Sequence, residues 1–159
     1  MVSKALVDLE KVDLNAEVVS KEEVLKLNAQ RFEFEQIDKV VYLDLEEDLV
    51  VGVKIQTPEE FWVRGHIPGR PIMPGVMLIE MAAQLSSIAF HKKLETNGEK
   101  FFGFGGVNNV KFRGSAAPGS TVVMVAKAIK MRSRLAVFAA QGYVDGKMIF
   151  EGEITGAII

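Results

Sequence analysis

Apolar and polar positions alternate in short blocks along most of this chain, with one long exception. From Met73 to Phe90 apolar residues crowd nearly every position. Pro74-Gly75 in front and Asn97-Gly98 behind read as start and stop signals, which predicts a helix from about residue 75 to about residue 94. Before it, residues 32–45 and 49–55 read as two strands around the acidic turn Glu46-Glu47-Asp48. After it, residues 100–113, 121–131, 135–144 and 147–155 read as strands. Their breaks fall at Pro118-Gly119 and at Asp145-Gly146, the latter a hairpin-turn signal. Ser20-Lys21-Glu22-Glu23 has the spacing of a capping box and predicts a short helix to about Asn28. Residues 58–74 hold four prolines and predict an ordered loop. Residues 1–19 are weakly patterned and are expected to be an N-terminal extension to a single domain at 20–159.

One long helix among antiparallel strands is an α+β arrangement. Because the helix is apolar nearly all round, the sheet is expected to wrap it. A chain of 159 residues can bury such a core without staples, and it has no cysteine to make any. That excludes disulfide scaffolds, thiolate metal sites and cysteine nucleophiles. With 19 basic and 21 acidic residues there is no electrostatic footprint for nucleic acid. The apolar stretch carries Glu80, Gln84, Ser86 and Ser87, so a membrane span is not expected. Asp8 and Glu10 interrupt the first apolar run, which speaks against a signal peptide; the expected location is cytoplasmic.

Glu80, Gln84, Ser87 and His91 recur at i, i+4, i+7 and i+11, on one face of the helix. A buried carboxylate is costly unless paired or protonated. Helix pattern alone favours a plain reading, with Glu80 turned to solvent or bonded to Gln84. The preceding loop, Gly65-His66-Ile67-Pro68-Gly69-Arg70-Pro71-Ile72-Met73-Pro74-Gly75, alters that balance. Proline fixes φ and glycine permits close approach, so His66 sits in a rigid frame. His91, near the helix end, reads as a structural histidine suited to the helix dipole. Free N–H groups near Gly75 and Val76 at the helix start can hold a carbonyl oxygen. An imidazole, a carboxyl in apolar surroundings and such donors are the parts needed to take a proton α to a carbonyl and protonate a leaving group.

The run from Gly65 to Val76, continuing through Ile79-Glu80-Met81-Ala82-Ala83-Gln84, resembles the signature of FabZ-type 3-hydroxyacyl-[acyl-carrier-protein] dehydratases. Arg31-Phe32, Ile37-Asp38-Lys39-Val40, Phe104-Gly105-Gly106-Val107 and Val144-Asp145-Gly146-Lys147 extend the resemblance from about residue 22 onward. It implies a hot-dog fold, a long helix wrapped by a curved antiparallel sheet. It also implies His66 and Glu80 as catalytic residues, the Gly75 N–H (with Val76 beside it) as the thioester carbonyl site, and Gln84 as a neighbour of the acid. The implied reaction converts a (3R)-3-hydroxyacyl thioester of acyl carrier protein to the trans-2-enoyl thioester, without cofactor or metal. The implied assembly is a homodimer with shared active sites, or a trimer of dimers. The related FabA type carries Asp at the helix position, so Glu80 implies dehydration without isomerisation.

Two stretches depart from the family pattern: Ala29-Gln30-Arg31-Phe32-Glu33-Phe34, and Arg113-Gly114-Ser115-Ala116-Ala117-Pro118-Gly119-Ser120. Both lie outside the His/Glu signature and bear on substrate and partner preference. Phe61, Trp62, Met73, Met77, Phe101, Phe102 and Phe104 are candidates for lining an acyl tunnel, or plain core. Lys92-Lys93 and Lys130, Arg132 and Arg134 are candidates for contacting an acidic carrier, or solvated faces. Two histidines and no cysteine give no metal-ligand spacing. A hot-dog thioesterase and a non-catalytic acyl-thioester-binding module are the competing functions.

Overall fold

The computed structural model describes residues 3–159. Its two helices are α1 (Lys21–Leu27) and α2 (Gly75–Lys93). Its six strands are β1 (Lys39–Asp44), β2 (Leu49–Ile55), β3 (Phe102–Phe112), β4 (Thr121–Met131), β5 (Leu135–Val144) and β6 (Lys147–Ile158). All neighbouring strands pair antiparallel, in the order β1-β2-β4-β5-β6-β3, so β1 and β3 are the edges.

Helix α2 packs on β2, β3, β4, β5 and β6, and from Gln84 to His91 every residue on it is buried. With no free face for water, the sheet must curve round it. Leu85, Ile88 and Phe90 are fully buried, each stabilising the fold by roughly 1.5–3 kcal/mol. This is the α+β hot-dog arrangement that the resemblance implied.

Residues 32–38 are not part of a strand; β1 begins only at Lys39. Phe32–Phe34 form a 3-10 turn with Phe32 at φ 60°. Side chains supply the reason. Arg31 donates to the carbonyls of Leu25, Asn28 and Gln30, Glu35 Oε2 accepts the Phe32 N–H, and the Gln36 N–H goes to Gln84. Such local bonds satisfy the backbone in place of a ladder.

Only half of the capping box at Ser20 forms: Ser20 Oγ accepts the Glu23 N–H at 3.2 Å, while Glu23 pairs with Lys92 on α2. Val18 and Val19 bond Val40 at the edge strand β1. The stretch 3–12 lies on the face of the sheet away from α2. There Leu6, Val7, Leu9 and Val12 pack with Val51, Val53, Val123, Val125 and Tyr143. Gln141 fixes it from below, accepting from the Leu6 N–H and donating to Lys4 O. No helix among the described residues is long and apolar enough to cross a membrane.

His91 is structural, as its place near the helix end suggested. It is 1% exposed, edge-on to Phe90, with Nδ1 2.5 Å from Thr96 Oγ1, and burial pushes its pKa below the usual histidine value. The unfolded chain therefore binds this proton more readily, so the contribution is complete above pH 6.5 and lost as pH falls. The apparent melting temperature is expected to fall between about pH 7.5 and about pH 5.5, at about 2–4 °C per kcal/mol, and His91→Gln to flatten that slope. Calorimetry across the range checks it.

Candidate active site

The loop carrying His66 is anchored at both ends before it reaches the helix. Lys54 at the end of β2 pairs with Glu60 at 3.0 Å, both side chains nearly buried. The other Glu60 oxygen accepts from Thr57 N and Thr57 Oγ1 at 3.1 and 2.8 Å. Burial pushes the Glu60 carboxyl up, but the Thr57 donors and the Lys54 ammonium outweigh it and hold it below the usual carboxylate value. Trp62 is core rather than tunnel lining, and its carbonyl accepts the His66 N–H at 2.8 Å. Downstream, the Met73 N–H bonds Ala116 O at 2.8 Å.

Between these anchors Ile67 and Arg70 exchange backbone bonds across a tight turn, and Ile72 N donates to His66 O at 2.8 Å. His66 itself is exposed, and its Nδ1 lies 2.8 Å from Ile72 O. A carbonyl only accepts, so Nδ1 carries the hydrogen. In the neutral ring Nε2 is then the bare, basic nitrogen.

Helix α2 opens at Gly75 behind Pro74, which offers no side-chain acceptor. The Gly75 and Val76 N–H groups accordingly have no protein acceptor among the described residues. A Cβ at position 75 would lie 2.9 Å from the Phe112 ring, so only glycine lets the helix start this close to β3.

Glu80 is half-buried and bonds Gln84, as the plain reading of the helix face had it: Gln84 Nε2 donates to Glu80 Oε1 at 2.8 Å. Gln84 is 3% exposed and otherwise fully committed. Its Oε1 accepts the Gln36 N–H at 2.9 Å, its Nε2 also donates to Phe34 O at 2.6 Å, and its own carbonyl accepts from Asn28 Nδ2 at 3.1 Å. A backbone N–H can only donate, so the amide cannot flip, and an N–H always faces Glu80. The segment 28–36 thus orients the carboxyl through Gln84. Sequence reasoning saw in it a strand start and a departure from the family pattern, and did not foresee this role.

Beside Glu80 lies a chamber of about 40 Å³, lined among others by Gln30, Ser87, Phe102, Phe104 and Ile154. His66 does not line it, and within the described residues His66 and Glu80 share no hydrogen bond. Of the other tunnel candidates, Met73 and Met77 are core, Phe61 is exposed, and Phe101, Phe102 and Phe104 line the chamber. Lys92 and Lys93 are engaged by Glu23 and Asp48, whereas Lys130, Arg132 and Arg134 are exposed at the β4–β5 hairpin. No group of metal-binding side chains occurs among the described residues.

A helix sheathed by a single curved sheet, with a rigid histidine loop leading into it, defines a hot-dog protein. The chain belongs to the FabA-like domain family, whose model matches residues 28–153. It is 35% identical over 136 residues to the 3-hydroxyacyl-[acyl-carrier-protein] dehydratase FabZ of Lactococcus lactis subsp. cremoris, covering 86% of this chain and 92% of that protein. The protein of the same name from Clostridium botulinum is 36% identical over 132 residues, covering 83% and 90%. Among solved structures, the dehydratase heterocomplex ApeI:P from Xenorhabdus doucetiae superposes with a TM-score of 0.73 at 13% identity, over 86% of this chain and 91% of that one. Zebra fish thioesterase superfamily member 2 gives 0.63 at 16%, over 87% and 95%. These two likenesses concern the fold.

Replacing Gln84 by Leu leaves the buried Gln36 N–H without its acceptor. The expected loss is about 1–3 kcal/mol of stability, read from the urea unfolding midpoint.

Proposed function

We propose that this protein dehydrates (3R)-3-hydroxyacyl-[acyl-carrier-protein] to the trans-2-enoyl thioester, as a hydro-lyase of acyl-chain biosynthesis. The observation that carries the reading is the Nδ1 bond of His66 to Ile72 O, which leaves Nε2 as a fixed base in the loop. The FabZ relatives, at 35–36% identity over most of the chain, support the same reaction.

In this reading the thioester carbonyl accepts from the Gly75 N–H, with Val76 and the helix dipole adding to the positive field there. That interaction acidifies C2, and His66 Nε2 removes its proton. Glu80 acts as the general acid towards the C3 hydroxyl, which leaves as water. Gln84 occupies Oε1, so the transferable proton resides on Oε2. No cofactor takes part.

A second copy of the chain completes the site. Within one chain His66 and Glu80 share no hydrogen bond and His66 does not line the pocket beside Glu80, and the edge strand β3 exposes Phe104, Val107 and Phe112, as the helix start exposes Val76. Pairing along that edge buries these residues and brings the histidine of one protomer to the carboxyl of the other. A trimer of dimers is the larger assembly compatible with this unit. The acidic carrier finds positive charge at Lys130, Arg132 and Arg134.

His66→Ala and Glu80→Gln are each expected to fold and to lose roughly 10²–10⁴-fold in turnover. Co-refolding the two inactive variants is expected to restore about a quarter of wild-type turnover, since half the dimers formed hold one intact site. Enoyl formation followed by absorbance is the readout. Unchanged activity in Glu80→Gln contradicts the assignment, and release of free thiol without enoyl product would select a thioesterase.

A further inference from the structure

Residues 3–7 lie well before residue 28, where the match to the FabA-like family begins. Side chains, not strand pairing, hold them on the outer face of the sheet. Ser3 Oγ donates to Glu151 Oε1 at 2.5 Å. Gln141 accepts the Leu6 N–H at 2.9 Å and donates to Lys4 O at 2.8 Å. The Tyr143 hydroxyl steadies that amide by donating to the same Gln141 oxygen at 2.9 Å. Leu6 and Val7 then pack on the apolar cluster formed by β2 and β4.

Glu151 does more than receive the segment. Its other oxygen, Oε2, accepts from Arg113 Nε at 2.6 Å, with both side chains mostly buried. The Ser3 hydroxyl has the largest effect on its pKa and lowers it; burial opposes this, Arg113 adds to it, and the carboxyl stays below its usual value. Arg113 follows the last residue of β3, and its N–H extends the ladder to Ile149 O at 2.7 Å. Successive side chains of a strand point to opposite faces. While Arg113 reaches Glu151 on the outer face, Phe112 turns to the helix side. Its ring lies 6.0 Å from that of Phe150, centroid to centroid, and abuts Gly75. The strand that carries this ring is an edge strand with two breaks in its register, at Phe104/Gly106 and at Asn108/Lys111. An interrupted ladder holds the end of a strand weakly, so side chains must hold it instead.

We infer that Ser3, Glu151 and Arg113 are positioning residues for the carbonyl site: from the outer face of the sheet they hold Phe112 against Gly75 and so set the helix start. The inference rests on the dehydratase reading, in which the Gly75 N–H receives the thioester carbonyl. All three act through Phe112. Donors of this kind work by being in place before charge develops, and a small displacement weakens them in the transition state. The N-terminal segment is then part of the catalytic apparatus, joined to it by one carboxyl that binds Ser3 with one oxygen and Arg113 with the other.

The experiment measures kcat, KM and the Gly75 amide resonance in the full-length protein. The variants are Ser3→Ala, Ser3→Thr, Arg113→Met and the double variant Ser3→Ala/Arg113→Met. Ser3→Ala is expected to lower kcat roughly two- to fivefold with KM little changed, and to shift the Gly75 amide. Ser3→Thr keeps the hydroxyl and is expected to restore wild-type kcat. Arg113→Met is expected to cost on the order of tenfold, and adding Ser3→Ala to it no more, because both act through Glu151. Losses that multiply in the double variant overturn the inference. So does a wild-type kcat or an unmoved Gly75 resonance in Ser3→Ala, a result that does not depend on any Arg113 variant folding. A rise in KM with kcat unchanged overturns it as well. Wild-type protein inactive on every 3-hydroxyacyl carrier-protein substrate would sink the dehydratase reading and the catalytic role of the brace together. An active wild type with an unmoved Gly75 resonance in Ser3→Ala sinks the brace alone.

Discussion

The fold depends on a helix that over residues 84–91 has no side to show to water. Once α2 is buried from Gln84 to His91, the sheet must curve far enough to meet it from β2 round to β3. Every polar group on the helix then needs a partner inside the protein, because an unpaired one is costly. Ser86 finds Ala82 O, His91 finds Thr96, and Gln84 finds Gln36, Phe34 and Glu80. The site grows out of that constraint. A carboxyl beside a committed amide is held in one orientation.

The histidine side of the site is built by the opposite means. His66 is exposed, so its position comes from a loop fixed at the buried Lys54–Glu60 pair, at Trp62 and at Ala116. Within it the side chain returns to its own loop at Ile72 O, which fixes the tautomer. Preorganised groups of this sort need no rearrangement as charge develops in the transition state. Helix and loop meet at Gly75, where the absence of a side chain lets Phe112 approach the helix start.

Much of this was legible in the sequence. The limits of β2, β4 and β5 and the start of α2 follow from apolar periodicity and turn residues, because those elements are decided by burial. His66, Gly75 and Glu80 stood out through their prolines, glycines and position on an apolar face. Residues 32–38 were misread as the start of a strand, since Phe32-Glu33-Phe34-Glu35 alternates apolar with polar. The bonds that break the ladder come from Arg31, Glu35 and Gln84, partners no periodicity reveals. The role of Lys54 and Glu60 was invisible for the same reason, and so was the packing of Leu6, Val7, Leu9 and Val12 on the outer sheet face. That His91 is structural was legible from its place near the helix end, but its burial against Phe90 is a tertiary fact.

The central claim is that the loop presents a histidine whose bare nitrogen is Nε2. Nitrogen-15 NMR of the imidazole measures this directly in the intact protein. The account predicts that neutral His66 carries its hydrogen on Nδ1, with Nε2 showing the shift of an unprotonated nitrogen. A hydrogen on Nε2 instead would contradict it, since that ring could not take a proton from the substrate while holding Ile72 O.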